Sequence, residues 1–144
     1  MPDLPLVVLD ASVIVKWYLP GEQGAAEAAL FQERYLSSIP RIVVPDVVRY
    51  EVANAVSVAL RRGRISADDA RQATADFLSW DFTYVGTNNL ILAAADVAQR
   101  FDCAFYDALY LAVAETAGCD LVTADRGLFA KTHNHMSWVK WLGD

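Results

Sequence analysis

The amino-acid sequence predicts an α/β fold in which a parallel β-sheet lies between layers of helices. Short apolar segments, typical of buried strands, alternate along the chain with longer segments whose apolar residues have helical spacing. Strands that follow one another in parallel need crossover connections, and the helical segments are long enough to supply them. The pattern therefore predicts the fold class and leaves the order of the strands open.

Five segments are predicted to be strands because they are short and are either apolar throughout or alternate in polarity. Pro45 closes the second of these segments, and an aspartate directly follows the first and the fourth. In chain order the predicted strands are Leu4 to Leu9, Arg41 to Val44, Phe82 to Val85, Asp120 to Ala124 and Ser137 to Trp141.

Seven segments are predicted to be helices from the spacing of their apolar residues and from the residues that bound them. Ser66 followed by Asp69 resembles a capping box, and Asn88 or Asn89 is expected to cap the fifth helix. Gly63 is expected to end the third helix. The predicted helices are Ala11 to Leu19, Glu22 to Ser37, Asp46 to Arg62, Ser66 to about Trp80, Asn88 or Asn89 to about Phe101, Asp107 to about Thr116 and Arg126 to about Lys131.

Length and composition favour one domain, residues 1–144, with a dense core, because 55% of its residues are hydrophobic. No uninterrupted apolar stretch reaches the roughly 20 residues that a membrane helix needs. Met1-Pro2-Asp3 provides no basic region ahead of an apolar run, so we expect no secretory signal and a cytoplasmic location. Cys103 and Cys119 are expected to be reduced, partly buried thiols.

Four carboxylates are predicted to meet at one edge of the sheet. Asp10 and Asp125 directly follow predicted strands, Glu51 lies in the first two turns of the helix after the second strand, and Asp107 begins a helix. Ligands of open parallel α/β sheets bind at the carboxyl ends of the strands, which is where these positions fall. Taken singly, an aspartate at such a position is most often a helix cap, and a glutamate such as Glu51 is most often a solvated helix residue.

Such a cluster needs a cation. Two carboxylates about 5 Å apart repel each other by about 3 kcal/mol at an effective dielectric constant near 20. Mg²⁺ or Mn²⁺ would relieve this repulsion, and both prefer oxygen ligands and retain water for a substrate phosphate. Ser12 and Thr123 are expected to support the site by orienting a carboxylate or a bound water.

The net charge of −6 is unusual for a protein that binds nucleic acid, since such surfaces are usually basic. Without the four carboxylates the charge becomes −2, and a bound divalent cation would supply positive charge where a phosphate must lie. The acidity therefore argues against a general nucleic-acid coat protein but not against a metal-dependent nuclease.

Four motifs of the sequence resemble those of PIN-domain toxins of the VapC type, in the same order and over essentially the whole chain. They are Val8-Leu9-Asp10-Ala11-Ser12-Val13-Ile14-Val15-Lys16-Trp17, Tyr50-Glu51-Val52-Ala53-Asn54-Ala55, Tyr106-Asp107-Ala108-Leu109-Tyr110-Leu111-Ala112-Val113-Ala114 and Leu121-Val122-Thr123-Ala124-Asp125.

The resemblance implies a three-layer α/β/α fold with a five-stranded parallel sheet and an Mg²⁺- or Mn²⁺-dependent endoribonuclease that cleaves single-stranded RNA. It implies homodimerisation and a VapB-like antitoxin that blocks the site and carries the domain that binds operator DNA. By position, Asp10, Glu51, Asp107 and Asp125 correspond to the catalytic and metal-binding quartet of the family, and Ser12 to its polar companion.

Other polar and aromatic residues are assigned less specific roles. Lys16 and Arg49 lie near the acidic motifs in sequence and are candidates for contact with the RNA backbone. Trp17 and Tyr18 are expected in the core or a dimer interface rather than as stacking platforms for bases.

Two further clusters are expected to lie on the surface. The basic residues Arg61, Arg62 and Arg64 follow a helix end, where they interact favourably with the helix dipole and solvent, with phosphate contact as the alternative. His133-Asn134-His135 is expected to be an ordinary surface loop rather than a metal site.

The sequence lacks motifs that two other classes of enzyme usually carry after the first strand. A phosphotransferase with an aspartyl nucleophile usually has Asp-x-Asp after the first strand, where this chain has Asp10-Ala11-Ser12. A dinucleotide-dependent enzyme would have a glycine-rich loop there. A non-catalytic α/β interaction module, and a PIN nuclease that processes RNA without an antitoxin, stay as alternatives.

Overall fold

The computed structural model describes residues 5–37 and 41–143. Its central sheet has five strands, all paired in parallel, in the order β3-β2-β1-β4-β5. This arrangement confirms the predicted parallel α/β fold and supplies the strand order. The strands are β1 (Leu6–Leu9), β2 (Arg41–Pro45), β3 (Thr83–Val85), β4 (Asp120–Thr123) and β5 (Val139–Trp141).

Seven α-helices connect these strands, as the alternating pattern predicts. Two short 3-10 helices, Val15–Trp17 and Asn88–Leu90, lie between them. No helix in the part of the chain described is long and apolar enough to cross a membrane. The α-helices are α1 (Ala11–Ile14), α2 (Ala25–Leu36), α3 (Val48–Arg61), α4 (Ala67–Leu78), α5 (Ile91–Phe101), α6 (Phe105–Ala117) and α7 (Arg126–Thr132).

The core lies on both faces of the three central strands, β2, β1 and β4. Val8, Val44 and Leu121 on these strands are fully buried, as expected for a parallel sheet covered by helices. Helix α6 packs against β1 and β2 and is buried from Ala108 to Ala114, which explains its nearly continuous apolar sequence. Burial of α6 along the sheet brings its first turn, with Asp107, to the edge where β1 ends.

The first two helices are shorter than predicted. Helix α1 ends after one turn at Ile14, and the chain continues as the 3-10 helix up to Trp17, within a segment rich in β-branched residues. Helix α2 begins at Ala25 instead of Glu22, because Gly24 adopts a left-handed conformation with φ of 83°. Leu4, at the start of the predicted first strand, and Met1-Pro2-Asp3 lie outside the described residues.

The start of the sixth helix also differs from the prediction. Helix α6 begins at Phe105, two residues before the predicted start at Asp107, and the extended residue Ala104 precedes it. Asp107 is therefore the third residue of the helix and not its cap. The apolar run from Cys103 to Tyr106 gives no sign of this earlier start, because apolar spacing marks a helix only once it repeats.

The predicted caps have mixed outcomes. The Ser66 hydroxyl accepts a hydrogen bond of 3.0 Å from the Asp69 backbone N–H, which confirms Ser66 as the cap of α4. Gly63 has a φ of 71° just after α3, as predicted for a helix end. The prediction for Asn88 and Asn89 is wrong, because both lie inside the 3-10 helix and α5 begins at Ile91 without a side-chain cap.

Candidate active site

Asp10 is the most deeply buried of the four predicted carboxylates, with only 4% of its surface exposed. It follows the last residue of β1, and its backbone N–H donates to the carbonyl of Val122 on β4, at 3.1 Å. Its Oδ2 accepts hydrogen bonds from the Ser12 hydroxyl at 2.8 Å and from the Thr123 hydroxyl at 2.9 Å. Asp10 is thus held in one orientation by two hydroxyl donors.

The same two hydroxyls also join the ends of the two central strands. Ser12 Oγ accepts from the backbone N–H of Ala124 at 3.1 Å, and Thr123 Oγ1 accepts from that of Asp125 at 3.0 Å. Each hydroxyl therefore donates to Asp10 and accepts from the chain that leads to Asp125. This network places Ser12 and Thr123 between Asp10 and the chain that leads to Asp125.

Asp125 has a structural role in addition to its place in the cluster. It caps α7, and its Oδ1 accepts a hydrogen bond of 3.1 Å from the backbone N–H of Leu128. The cap interpretation is therefore correct for Asp125, but the carboxylate also lies close enough to Asp10 and Asp107 to raise the pKa of each. Asp10 also occupies a cap position, before α1, but makes no side-chain capping bond there.

Glu51 reaches the cluster from the first turn of α3 and is held by a residue that the sequence analysis did not identify. The Tyr110 hydroxyl donates a hydrogen bond of 2.7 Å to Glu51 Oε1, and Tyr110 is fully buried. Tyr110 lies one turn after Asp107 on α6, so both side chains face the site. That spacing was the signal available in the sequence, but a tyrosine in an apolar helix is more often a core residue.

The carboxylates interact electrostatically. Burial and the charges of Asp10, Asp125 and Glu51 raise the pKa of Asp107 to about 7. Burial raises the pKa of Asp10 although its two hydroxyl donors oppose the shift, and burial together with Asp10 raises the pKa of Glu51. The structure therefore brings the four predicted carboxylates into one field of negative charge at the carboxyl edge of the sheet.

The donor chemistry of this cluster fits a hard divalent cation. All the candidate donors are oxygen atoms, and their mutual repulsion would be relieved by positive charge. Within residues 5–37 and 41–143, no three histidine, cysteine or carboxylate side chains form a group that could hold a metal ion by themselves. Mg²⁺ and similar ions commonly use one or two carboxylates and complete their shell with water and substrate phosphate, so the donor set suits such an ion.

The positively charged residues near the site motifs in sequence each make a contact of their own. Lys16 Nζ lies 3.9 Å from a Glu22 carboxylate oxygen, and the guanidinium of Arg49 lies 4.3 Å from the centre of the Tyr84 ring. Arg126, which directly follows Asp125, lies over the Trp141 ring at 5.1 Å. Arg126 was not predicted as a site residue, because a charged residue on the first turn of a short helix carries no distinct pattern.

Several other polar and aromatic side chains make hydrogen bonds within the protein. Trp17 donates to the Ala28 carbonyl at 2.8 Å, and the Tyr18 hydroxyl donates to Asp76 at 2.6 Å. Both side chains are half-buried and pack against the core. Arg64 donates to the Pro20 carbonyl at 2.9 Å. A His133 ring nitrogen lies 2.7 Å from the Phe129 carbonyl oxygen.

Comparison with known proteins identifies the family. The sequence matches the family model of the PIN domain over residues 7–134. Ribonuclease VapC3 of Pyrobaculum aerophilum is 32% identical over 130 residues, which cover 87% of this chain and 93% of that protein. A crystal structure from Pyrobaculum aerophilum is similar with a TM-score of 0.68 and 28% identity, covering 90% of this chain and 80% of that chain.

A second solved structure has a similar fold. It is a chain of a toxin–antitoxin complex from Klebsiella pneumoniae, 18% identical, with a TM-score of 0.61 over 93% of this chain and 95% of that chain. The family match and the VapC3 relative together cover nearly all of the chain and include all four carboxylates. The chain therefore belongs to the PIN-domain family and to its VapC-type ribonucleases.

Proposed function

We propose that this ribonuclease cleaves single-stranded or loop regions of RNA at the cluster of Asp10, Glu51, Asp107 and Asp125. The observation that carries the proposal is the convergence of these four carboxylates, where burial and the charges of the other three raise the pKa of Asp107 to about 7. A purely structural role gives no reason to gather so much like charge beside a buried aspartate. The relatives are ribonucleases, so a non-catalytic interaction module is not favoured.

Ribonucleases of the PIN family generally depend on divalent cations, and we assign Mg²⁺ or Mn²⁺ to this site. When bound, the cation would lower the pKa of a water molecule and stabilise negative charge on the phosphate. Asp10, Asp107, Asp125 and Glu51 are the residues that would hold it, directly or through water. Ser12 and Thr123 keep the Asp10 carboxylate in place by donating to its Oδ2.

The proposed reaction is hydrolysis of a phosphodiester. A water oxygen forms a bond to phosphorus while the bond from phosphorus to the leaving ribose oxygen breaks, and the water loses a proton as the leaving oxygen gains one. With a pKa of about 7, Asp107 can hold or release a proton near neutral pH. Asp107 would give up this proton as the site takes up its cation, because only ionised carboxylates bind such ions well.

We further propose that the protein is the toxin of a toxin–antitoxin pair, located in the cytoplasm, and that it forms a homodimer. The similarity in fold to a chain of a toxin–antitoxin complex supports a VapB-like protein partner. In this proposal operator DNA is bound only through the antitoxin, in keeping with the net charge of −6. Lys16 and Arg49 are proposed to contact the RNA backbone.

The proposal is tested by incubating purified protein with a mixed pool of structured RNAs in Mg²⁺, Mn²⁺ or chelator. We expect cuts in unpaired regions that require the cation and that disappear in Asp10→Asn. Cleavage that persists in chelator, or in Asp10→Asn, would come from another site or a contaminant. Absence of cleavage with either cation, together with absence of divalent binding in calorimetry, would contradict the proposal and favour an interaction module.

A further inference from the structure

Two arginines that lie close in sequence to site carboxylates are each packed on an aromatic ring of an edge strand. The Arg49 guanidinium lies 4.3 Å from the centre of the Tyr84 ring on β3, and that of Arg126 lies 5.1 Å from the centre of the Trp141 ring on β5. Both arginines are exposed, and both rings are half-buried. Each arginine lies within two residues of a site carboxylate, Glu51 or Asp125.

The sheet order places the two pairs on opposite sides of the carboxylates. Strands β3 and β5 form the two edges of the sheet, and Asp10 follows the central strand β1. Tyr84 pairs with Val44, the last residue but one of β2, and Trp141 pairs with Thr123, the last residue of β4. Both rings therefore lie near the carboxyl edge of the sheet. Four strand spacings separate the edges, or about 19 Å, which a stacked RNA strand covers in about six nucleotides.

The chemistry of both pairs suits a single-stranded nucleic acid. A guanidinium contacts phosphate through its N–H groups and offers a planar face to a base, and an aromatic ring stacks on any base. A third pair, Arg100 over Phe101, differs because the Phe101 ring is only 9% exposed and offers no stacking surface.

A groove next to the second pair has room for a nucleotide. It has a volume of about 320 Å³, and its lining includes Arg126, Trp141, Lys16 and Ala124. Ala124 lies between Thr123 and Asp125, so the groove reaches the segment of chain that carries Asp125. Glu27 also lines it, which leaves one positive charge in excess in a protein that is acidic overall.

We propose that the pairs Arg49–Tyr84 and Arg126–Trp141 are two binding subsites for single-stranded RNA, one on each side of the scissile phosphate. The strand crosses the carboxyl edge of the sheet from one pair to the other, with Lys16 contacting it in the groove beside Trp141. This inference rests on the proposed function, because it takes the carboxylates as the place where the strand is cut. It adds the path of the RNA and the side chains that hold each flank.

The first test is binding of a fluorescent single-stranded RNA in chelator, where no cleavage occurs. We expect Arg126→Ala and Arg49→Ala each to weaken binding by about 5- to 150-fold, the loss expected for one stacked base, and to reduce the salt dependence by about one phosphate contact. Arg61→Ala is the matched control, because it removes the same charge from α3 about 18 Å along the helix from Arg49. Equal affinity in all three variants would overturn the proposal.

Trp141 is tested separately because it also packs in the structure. Trp141→Phe keeps an aromatic ring and should bind RNA like the wild type, whereas Trp141→Leu should bind as weakly as Arg126→Ala. Circular dichroism establishes that both variants fold. Equal RNA binding by folded Trp141→Leu and wild type would contradict the stacking role, and so would equal losses in the two Trp141 variants.

Cleavage of shortened substrates separates the two subsites from each other and from the proposed function. With a defined RNA that the wild type cuts in Mg²⁺, removing nucleotides from either flank should raise KM and leave kcat unchanged. Arg126→Ala should be insensitive to shortening of one flank, and Arg49→Ala to shortening of the other. If the wild type cuts the RNA but both variants respond to both flanks as it does, this inference fails and the proposed function stands. If the wild type neither binds nor cuts RNA, both fail.

Discussion

At Asp107, partial burial and, after it, three neighbouring carboxylates act on one carboxyl group. They raise its pKa from 3.8 to about 7, so the folded protein holds a proton there that the unfolded chain releases at about pH 4. Between those values the native state binds more protons than the unfolded state, and its stability must fall as the pH rises. The shifts at Asp10 and Glu51 have the same direction.

We therefore predict that the cation-free protein is less stable at pH 7 than at pH 5. Asp107→Asn should reduce this dependence and should be more stable than the wild type at pH 7, because it removes one of the repelling charges. Urea denaturation in chelator at several pH values measures both effects. A wild type that gains stability from pH 5 to pH 7, or an unchanged slope in Asp107→Asn, would contradict this description of the site.

Tyr110 is predicted to act through Glu51. Tyr110→Phe removes only the hydroxyl that donates to Glu51 Oε1, and loss of a hydrogen bond to a partly buried charged group costs about 1.5–3 kcal/mol. We expect a loss of stability in that range in urea denaturation and slower cleavage of RNA, because Glu51 is no longer oriented. Tyr106→Phe, on an exposed residue of the same helix, should leave stability and cleavage unchanged.

A double-mutant cycle tests whether the effect of Tyr110 passes through Glu51. In a Glu51→Gln background, Tyr110→Phe should cost less stability than in the wild type, because the charged carboxylate to which the hydroxyl donates is already absent. Equal losses in both backgrounds would show that the Tyr110 hydroxyl does not act through the charge of Glu51.

The sequence was sufficient to predict the acidic residues of the cluster, but not the residues that contact them. Asp10 and Asp125 were identified because each directly follows an apolar strand, a position that the topology makes convergent. Tyr110 was not, because its hydroxyl meets Glu51 only after α3 and α6 pack, and these residues are 59 positions apart. Arg126 and Trp141 meet in the same way, through the packing of α7 against β5.

Among the secondary-structure elements, α7 depends on a residue that we also place in the active site. Asp125→Ser keeps an oxygen that can accept from the Leu128 N–H, because serine caps a helix about as well as aspartate, but it removes the carboxylate. We predict a free energy of unfolding within about 0.5 kcal/mol of the wild type and loss of RNA cleavage. Thermal denaturation and a cleavage assay on the same sample measure the two.

Ser66→Ala is the matched case for a cap without a catalytic role. It removes the hydroxyl that accepts from Asp69 on α4, and it should cost about 1 kcal/mol while cleavage stays at the wild-type rate. If Asp125→Ser kept both the stability and the cleavage rate of the wild type, Asp125 would be a cap and nothing more.

The end of α6 offers a test of backbone conformation. Gly118 ends this helix with a φ of 67°, and a methyl group there would meet no atom within 4 Å, so any cost of Gly118→Ala is conformational. We predict a loss of about 1 kcal/mol in urea denaturation. Gly86→Ala, where the space is also open but φ is not in the left-handed region, should cost less or stabilise; equal effects at the two positions would contradict this explanation.

Helix ends were the least predictable elements, for a physical reason. Ser66 and Gly63 were correctly assigned because a side-chain acceptor or a left-handed glycine fixes an end locally. Helices α5 and α6 begin at Ile91 and Phe105 without any side-chain cap, so their starts depend on packing between the two helices. Such contacts leave no local mark in the sequence.

For the whole molecule, alternation of strands and helices was enough to predict a parallel α/β sheet. The order β3-β2-β1-β4-β5 was not predictable from that alternation, because several right-handed crossovers connect the same elements equally well. The convergence of the four carboxylates could be predicted without the strand order, since every parallel order brings the carboxyl ends of the strands to one edge. This is why the acids were predicted together whereas the neighbours that flank them were not.

The central claim is that RNA is cut at the carboxyl edge of this sheet by the acidic cluster. The most direct measurement is the cleavage rate of one defined RNA in Mg²⁺ by Asp10→Asn and by Asp120→Asn. Asp120 is exposed and lies on β4 beside Val7 of β1, at the end of the strand away from the acidic cluster. Each of the two variants removes one negative charge, so they change the net charge equally. We predict loss of cleavage in Asp10→Asn and the wild-type rate in Asp120→Asn. Equal rates in the two variants would contradict the claim.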